Sequence, residues 1–183
     1  MRKYGLVNLR DLGEDFIFEI RYASPHNFSG RPVYPLDVPV LREETAAKLV
    51  LIHRRAKAAG CRIKIFDAYR PMSYHRLLYE AAPDKSFWAD PARGSKHSRG
   101  AAVDATLTDL LGRELAMPSY FDEFSPRAAR KGPCDPGIME NLDLLTGLMT
   151  GGGFRTISTE WWHFDDSDWE NYPLSDYDLK EFM

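Results

Sequence analysis

The spacing of hydrophobic residues predicts a helix followed at once by a strand. Residues 42–59, "REETAAKLVLIHRRAKAA", carry core-type side chains at helical spacing, and Gly60 supplies a stop. These side chains are Thr45, Leu49, Ile52 and Ala56. Residues 61–66, "CRIKIF", then alternate as a strand with one buried face does. The buried face is predicted to hold Cys61, Ile63 and Ile65, opposite Arg62, Lys64 and Phe66.

The later segments predict an α+β fold. Pro71 favours the start of a helix through "MSYHRLLYEAA", so Asp67–Arg70 form a short corner between strand and helix. The remaining predicted elements are a buried strand at 101–107, a helix at 137–149 and a last strand at 154–164, "FRTISTEWWHF". This irregular order favours a mostly antiparallel central sheet flanked by helices over a regular βαβ array.

Composition narrows the classes of function. The 183 residues are 44% hydrophobic, which is enough for one substantial core, so we expect a single domain over 1–183. A net charge of −3 does not favour nucleic acid or an anionic membrane as the partner. The chain has no apolar run typical of a signal peptide or membrane span, and we expect a soluble, cytoplasmic protein that acts on a small molecule. Cys61 and Cys134 are far apart, which predicts free thiols.

The segment "GSKHSRGAAVDAT" (94–106) places a histidine and an aspartate around a glycine. His97 and Asp104 are an odd number of residues apart, so a straight strand would point them to opposite faces. They can converge only if the chain bends at Gly100, where the absence of a side chain frees the backbone. Small residues around them leave room for a metal and a substrate.

The segment "EWWHF" (160–164) poses the same geometric problem. Glu160 and His163 are three residues apart, and a bulge or a turn is needed to bring both to one site. An aromatic core strand with a satisfied histidine is the simpler alternative. The other histidines have ordinary explanations in loops or on helices; they are His26, His53 and His75.

Two imidazoles and one carboxylate are a usual ligand set for catalytic zinc, leaving a fourth position for a water whose pKa falls to about 7. His97, Asp104 and His163 provide such a set. A structural zinc is usually closed by four ligands, often cysteines, and neither cysteine is near these segments. We therefore expect an open metal site.

Two charged residues would supply the other catalytic groups that a metal-dependent hydrolase needs. Glu160 can take a proton from the metal-bound water and deliver it to a leaving amine. Arg70, on the corner after the predicted strand, can stabilise the oxyanion that forms when water attacks an amide. A simple salt bridge between Arg70 and Asp67 is the alternative for this arginine.

Considered together, "SKHSRGAAVDATL" and "EWWHF" resemble the two signature segments of the zinc D-alanyl-D-alanine dipeptidases. This group includes the vancomycin-resistance enzymes and has the D-Ala metallopeptidase and Hedgehog-like fold. The resemblance continues, in the same order, through "IRYASPHNFSG", "FDAYRP", "YFDEFSP" and "MTGGGF". It implies hydrolysis of D-Ala-D-Ala to two molecules of D-alanine, with one Zn²⁺ per chain.

The resemblance also implies a role for each site residue. The implied zinc ligands are His97, Asp104 and His163, the base is Glu160, and the residue that stabilises the intermediate is Arg70. Asp122 and Tyr22 are implied to contact the free ammonium of the dipeptide, with Ser95 near its other end. The simpler alternatives are a solvated or helix-capping Asp122, a core Tyr22 and a Ser95 that only braces its loop.

Two other functions remain open from the sequence. One is a zinc D,D-carboxypeptidase or peptidoglycan endopeptidase that acts on longer stem peptides. The lack of an export signal or wall-binding module disfavours it, as does Asp122, because acylating the substrate amine would leave this carboxylate unpaired. The other is a non-catalytic, zinc-stabilised binding domain, which would not need both Glu160 and Arg70.

Overall fold

The computed structural model describes residues 2–132 and 134–183. Within these residues the helices are α1 (Glu43–Ala58), α2 (Met72–Ala81) and α3 (Pro136–Thr150). The strands of a small sheet are β1 (Arg2–Lys3), β2 (Leu6–Asn8) and β4 (Val40–Arg42). The strands of a larger sheet are β3 (Ile17–Phe18), β5 (Cys61–Asp67), β6 (Ala102–Asp109), β7 (Phe154–Thr156) and β8 (His163–Asp166).

The larger sheet has the strand order β3-β5-β6-β8-β7. The β3–β5 pair is parallel and the other three pairs are antiparallel. Helix α1 packs against β5, and α3 packs against α1, β6 and β7. The prediction of an α+β fold with a mostly antiparallel central sheet is therefore confirmed.

Helix α1 shows why the periodic pattern was informative. Its side chains at the predicted spacing are all buried, and they are Thr45, Leu49, Ile52 and Ala56. Gly60 follows the helix with a φ of +81°, a left-handed conformation that favours glycine and ends the helix. The observed helix lies within one residue of the predicted bounds at each end.

Strand β5 forms where predicted, but the prediction of a single buried face is wrong. Lys64 is only 9% exposed and Phe66 only 2%. The strand lies between β3 and β6 in the sheet. The face that carries Phe66 is covered by a loop, because Phe66 packs against Phe121 with ring centroids 5.2 Å apart. Lys64 is tolerated there because its ammonium group forms ion pairs with Glu19 and Glu114.

The prediction of one last strand over 154–164 is also wrong. The segment forms two antiparallel strands, with Phe154 opposite Asp166 and Thr156 opposite Phe164. Residues 157–162 reverse the chain between β7 and β8. Contacts far away in sequence hold this turn, which is why local alternation did not predict it: Arg130 donates to the carbonyls of Ile157 and His163.

The small sheet supports the segment around His97 and Gly100. The backbone nitrogen of Arg42, at the end of β4, donates to the Gly100 carbonyl at 2.9 Å. The Arg42 side chain also donates from Nε to the carbonyl of Arg99 at 2.7 Å. Strands this short carry too little pattern to be predicted from sequence.

Both cysteines are free thiols, as predicted; Cys61 is buried and Cys134 half-buried. Among residues 2–132 and 134–183, no helix combines the length and the apolar character needed to cross a membrane.

Candidate active site

The register of two neighbouring strands brings Asp104 and His163 together. Asp104 lies in β6, and His163, the first residue of β8, is directly opposite it. Directly opposite residues point to the same face of a sheet, so their side chains meet. The distance from His163 Nδ1 to Asp104 Oδ1 is 3.0 Å.

His97 reaches the same point through the bend predicted at Gly100. It starts a 3₁₀ turn, after which Gly100 has a φ of +69°. A Cβ atom at Gly100 would lie 3.2 Å from the backbone nitrogen of Arg42, so this close approach also favours glycine. The bend lets His97 and Asp104 converge, and His97 Nε2 lies 3.3 Å from Asp104 Oδ1.

Hydrogen bonds on the outer side of each imidazole determine which nitrogen faces inward. His97 Nδ1 donates to the Ala68 carbonyl at 2.7 Å, and His163 Nε2 donates to Asp165 Oδ1 at 2.8 Å. When the rings are neutral, the inner nitrogens, His97 Nε2 and His163 Nδ1, therefore each carry a lone pair. These two atoms are 3.2 Å apart and converge with Asp104 Oδ1. Three acceptors within 4.8 Å of one another suit a shared cation, so these residues could hold a metal ion.

The charges of the cluster also favour a cation. Burial by itself lowers the pKa of His163, but its hydrogen bonds to Asp104 and Asp165 raise it to about 10. Burial alone raises the pKa of Asp104, but His97 and His163 lower it well below its usual value. The carboxylate therefore stays ionised, and positive charge is stabilised beside it.

Asp165 is a supporting residue that the sequence analysis missed. Its Oδ1 accepts from His163, and its Oδ2 accepts from Lys96 Nζ at 2.6 Å. The available signal was its position two residues after His163, which puts both on one face of a strand. A carboxylate in this position orients a metal-binding imidazole and makes it more basic.

Arg70 is held at the corner after β5 and is 5% exposed. Its Nε and Nη2 donate to Asp67 Oδ2 at 3.0 and 2.7 Å, and the hydroxyl of Tyr34 donates to the same carboxylate. The guanidinium carbon contacts two neighbouring rings, at 5.1 Å from the centroid of Tyr22 and 4.9 Å from that of Trp88. The simple salt bridge with Asp67 therefore exists, and it fixes a cation whose Nη1 this pairing does not use.

Arg70 also faces the three-residue cluster. Its Nη2 lies 3.8 Å from Asp104 Oδ2. Burial opposes its charge, but the neighbouring Asp67 raises the pKa of Arg70 well above its usual value. The guanidinium is therefore a permanent positive charge beside the cluster.

Glu160 lies in the turn before β8. This turn brings it close to His163, which a straight strand would not do. Its Oε2 is 4.0 Å from His163 Nδ1, and its side chain is 15% exposed. Burial raises the pKa of Glu160, although His163 acts in the opposite direction. A raised pKa suits a carboxyl group that must both accept and release a proton near neutral pH.

Tyr22 and Asp122, the two residues that the resemblance assigns to the substrate ammonium, lie next to each other. The Tyr22 hydroxyl donates to Asp122 Oδ1 at 3.0 Å. Asp122 Oδ2 is buried and has no hydrogen-bond partner among residues 2–132 and 134–183. Burial raises the pKa of Asp122 well above its usual value, with a further contribution from Asp104. This unpaired oxygen is suited to a cationic group on a ligand.

Ser95 lies in the loop before His97. Its hydroxyl accepts from the backbone nitrogen of Ser98 at 3.3 Å, so it does brace the loop. Ser95 also lines the same cavity as the other candidate residues.

A cavity of about 370 Å³ joins these residues. This volume is at the small end of the range for small-molecule sites. Every site residue predicted from the sequence lines it, and these are Tyr22, Arg70, Ser95, His97, Asp104, Asp122, Glu160 and His163. Of the other histidines, His26 and His53 do not line it, whereas His75 does.

The chain matches the peptidase M15 family model, described as D-ala-D-ala dipeptidase, over residues 2–180. It is 38% identical to the D-alanyl-D-alanine dipeptidase of Escherichia coli (strain K12), a match that covers 92% of this chain and 88% of that protein. It is 30% identical to the D-alanyl-D-alanine dipeptidase of Enterococcus faecium, over 96% of this chain and 97% of that protein.

A solved structure has a similar fold. It is the vancomycin resistance D,D-dipeptidase VanXYg in complex with a D-Ala-D-Ala phosphinate analog, with a TM-score of 0.51 and 19% identity. The match covers 99% of this chain but only 63% of that structure. It confirms the predicted fold type, and the family model and the two relatives confirm the resemblance to the D-alanyl-D-alanine dipeptidases. The chain belongs to the D-Ala-D-Ala dipeptidase family of peptidases.

Proposed function

We propose that the protein hydrolyses D-Ala-D-Ala to two molecules of D-alanine, with one zinc ion held by His97, Asp104 and His163. The observation that carries this proposal is the convergence of three lone-pair donors, two of which are imidazoles oriented by hydrogen bonds on their outer sides. Two imidazoles and one carboxylate suit Zn²⁺ and leave a coordination position open. When bound, zinc would polarise the scissile carbonyl and activate the hydrolytic water.

Glu160 carries the proton in this proposal. Its carboxylate faces the metal-binding cluster at 4.0 Å from His163, within reach of a water beside the scissile bond. It accepts a proton from the attacking water and then donates it to the leaving amine. Its raised pKa makes the carboxylate a stronger base for the first transfer, while its acid form can still give up the proton in the second.

Arg70 stabilises the negative charge that develops on the carbonyl oxygen. Asp67 and the two neighbouring rings hold the guanidinium in place, so little reorganisation is needed when the charge appears. Asp67, and Tyr34 behind it, act as positioning residues for this arginine.

Asp122 binds the amino end of the substrate in this proposal. Its buried, unpaired Oδ2 can accept from the free ammonium of a dipeptide, while Tyr22 holds the other oxygen. A substrate with an acylated amine would leave a buried carboxylate unpaired, which costs about 2–5 kcal/mol. Ser95 lies near the other end of the substrate in this arrangement.

The alternative, a D,D-carboxypeptidase or endopeptidase on longer stem peptides, requires a blocked amine at this position. The unpaired Asp122 oxygen argues against it. The proposal also keeps the expectation of a cytoplasmic enzyme, which fractionation of the native cell would test.

The experiment measures D-alanine release from D-Ala-D-Ala and from its N-acetylated form, using protein of known metal content. Release from the free dipeptide alone supports the dipeptidase and the role of Asp122. Release from the blocked form would favour the carboxypeptidase. No release from either, with zinc bound, would contradict the proposed hydrolysis and favour a binding domain.

A further inference from the structure

Two buried polar atoms in the wall of the active-site cavity have no partner among the residues that the structure describes. One is Nδ1 of His75, a residue of α2 that is 0% exposed, and the other is Nε1 of Trp88. Both residues line the cavity, and their ring centroids are 6.0 Å apart. The proposed reaction uses neither atom.

Their hydrogen-bonding roles follow from the surroundings. His75 Nε2 donates to the Ala89 carbonyl at 2.9 Å, so in the neutral ring Nδ1 is an acceptor. Burial, with Arg70, lowers the pKa of His75 to about 4, so the ring is neutral at pH 7. The Trp88 indole has only a donor. The wall therefore offers one acceptor and one donor, on two rings whose centroids are 6.0 Å apart.

The pair lies on the side of the cavity that holds the substrate amine in the proposed function. The Trp88 ring centroid is 4.9 Å from the Arg70 guanidinium carbon and 6.4 Å from the Tyr22 ring centroid. Tyr22 in turn holds Asp122. The side chain nearest His75 and Trp88 would therefore be that of the residue carrying the free amine.

A hydroxyl group is the smallest substituent that both donates and accepts a hydrogen bond, so it matches this pair. The methyl group of D-alanine matches neither atom. Sites that can hydrogen-bond a substrate hydroxyl discriminate against analogues without one, because their own polar groups then stay unpaired.

We propose that His75 and Trp88 form a hydroxyl subsite, and that the enzyme binds D-Ser-D-Ala more tightly than D-Ala-D-Ala. This inference rests on the proposed dipeptide site. It adds a preference, at the N-terminal residue, for a hydroxylated D-amino acid.

The test measures equilibrium binding by calorimetry to zinc-loaded Glu160→Gln protein, in which no turnover is expected to disturb the titration. We expect the Kd for D-Ser-D-Ala to be on the order of tenfold lower than that for D-Ala-D-Ala. D-Ala-D-Ser, with the hydroxyl on the other residue, should bind no better than D-Ala-D-Ala. Equal affinities for all three dipeptides, or a preference for D-Ala-D-Ser, would overturn the subsite.

Two further substitutions in the same background assign the effect to the pair. Trp88→Phe removes the N–H and keeps a ring, and His75→Gln keeps a donor for Ala89 while removing Nδ1. Each should abolish the preference for D-Ser-D-Ala. Phe87→Leu, a change to an apolar residue of the same wall, should alter both affinities by the same factor.

A preference that survives both Trp88→Phe and His75→Gln would overturn the proposal, since the hydroxyl would then bind elsewhere. Release of D-alanine from D-Ala-D-Ala by the unsubstituted protein is measured separately. If binding shows the preference and no hydrolysis occurs, the proposed function fails while the subsite stands.

Discussion

The His97–Asp104–His163 cluster and the part of the cavity wall that holds Asp122, His75 and Trp88 differ in how far their polar groups are hydrogen-bonded. In the cluster, each imidazole has an outer acceptor, and Arg70 is held by Asp67. In the wall, three buried side-chain atoms have no hydrogen-bond partner within the part of the chain that the structure describes, and they are Asp122 Oδ2, His75 Nδ1 and Trp88 Nε1. An unpaired buried polar atom costs about 1–3 kcal/mol. The contrast indicates that the cluster is preorganised for a cation, whereas the wall depends on the ligand for its remaining hydrogen bonds.

The backbone shows the same difference. Asp104 and His163 lie on neighbouring strands whose register fixes their separation. Asp122 lies in a loop with a φ of +59°, in the left-handed region that most residues avoid and that aspartate tolerates better. Strain of this kind is often found at ligand-binding positions. Substitutions in the cluster should therefore affect the metal, and those in the wall should affect substrate selection.

The largest effect is expected from Glu160→Ala. It removes the proton carrier but none of the metal ligands, so kcat should fall about 10²–10⁴-fold while bound zinc is unchanged. His163→Ala is the matched comparison and should lose both zinc and activity. Metal analysis and kcat are measured on the same preparations. Full activity in the Glu160 variant would remove its assignment as the proton shuttle.

The sequence was sufficient to predict residues that line one cavity, but not their supports. For His97 and Asp104 the signal was local, because Gly100 must bend the chain between them, whereas Tyr22, Asp122 and Ser95 were found only through the family resemblance. Asp165 supports His163 only because β8 exists as a separate strand. That strand forms by pairing with β6 and β7, and Arg130, far away in sequence, holds the turn that leads into it.

The same limit explains the errors in the fold. The burial of Lys64 depends on Glu19 and Glu114, and the cover over Phe66 includes Phe121. None of these partners lies within the strand whose alternation was used. Local patterns predicted where most of the main helices and strands form, and tertiary pairing determined how many faces they bury.

Asp122→Asn tests whether the cavity wall recognises the free ammonium of the substrate. The neutral amide cannot form an ion pair with the substrate ammonium, so kcat/KM for D-Ala-D-Ala should fall about a hundredfold. Hydrolysis of the N-acetylated dipeptide should change much less, so the ratio of the two rates narrows. Glu123→Gln, at the next position, is the control and should leave that ratio unchanged. An unaltered ratio in the Asp122 variant would contradict its role in reading the amine.

Asp165→Asn tests the preorganisation of the cluster. Loss of the carboxylate that orients His163 should weaken zinc binding about 10–100-fold, measured by competition with a chelator. Asp168→Asn is the matched control, because Asp168 follows the same strand but binds Lys48 instead of a metal ligand. Equal zinc affinities in the two variants would mean that the outer hydrogen bond does not hold the imidazole in place.

The smallest effect on the reaction is expected from His75, which should change stability rather than catalysis at neutral pH. Burial, with Arg70, lowers its pKa from 6.5 to about 4, so the unfolded chain takes up a proton at this position before the folded chain does. The contribution to stability is therefore complete above about pH 6.5 and is lost as the pH falls towards 4, by on the order of 3 kcal/mol. His75→Gln should unfold with a weaker pH dependence over that interval, measured by urea denaturation at several pH values. Identical pH dependence in the two proteins would show that His75 is not held neutral, and its Nδ1 would then no longer be an acceptor in the wall.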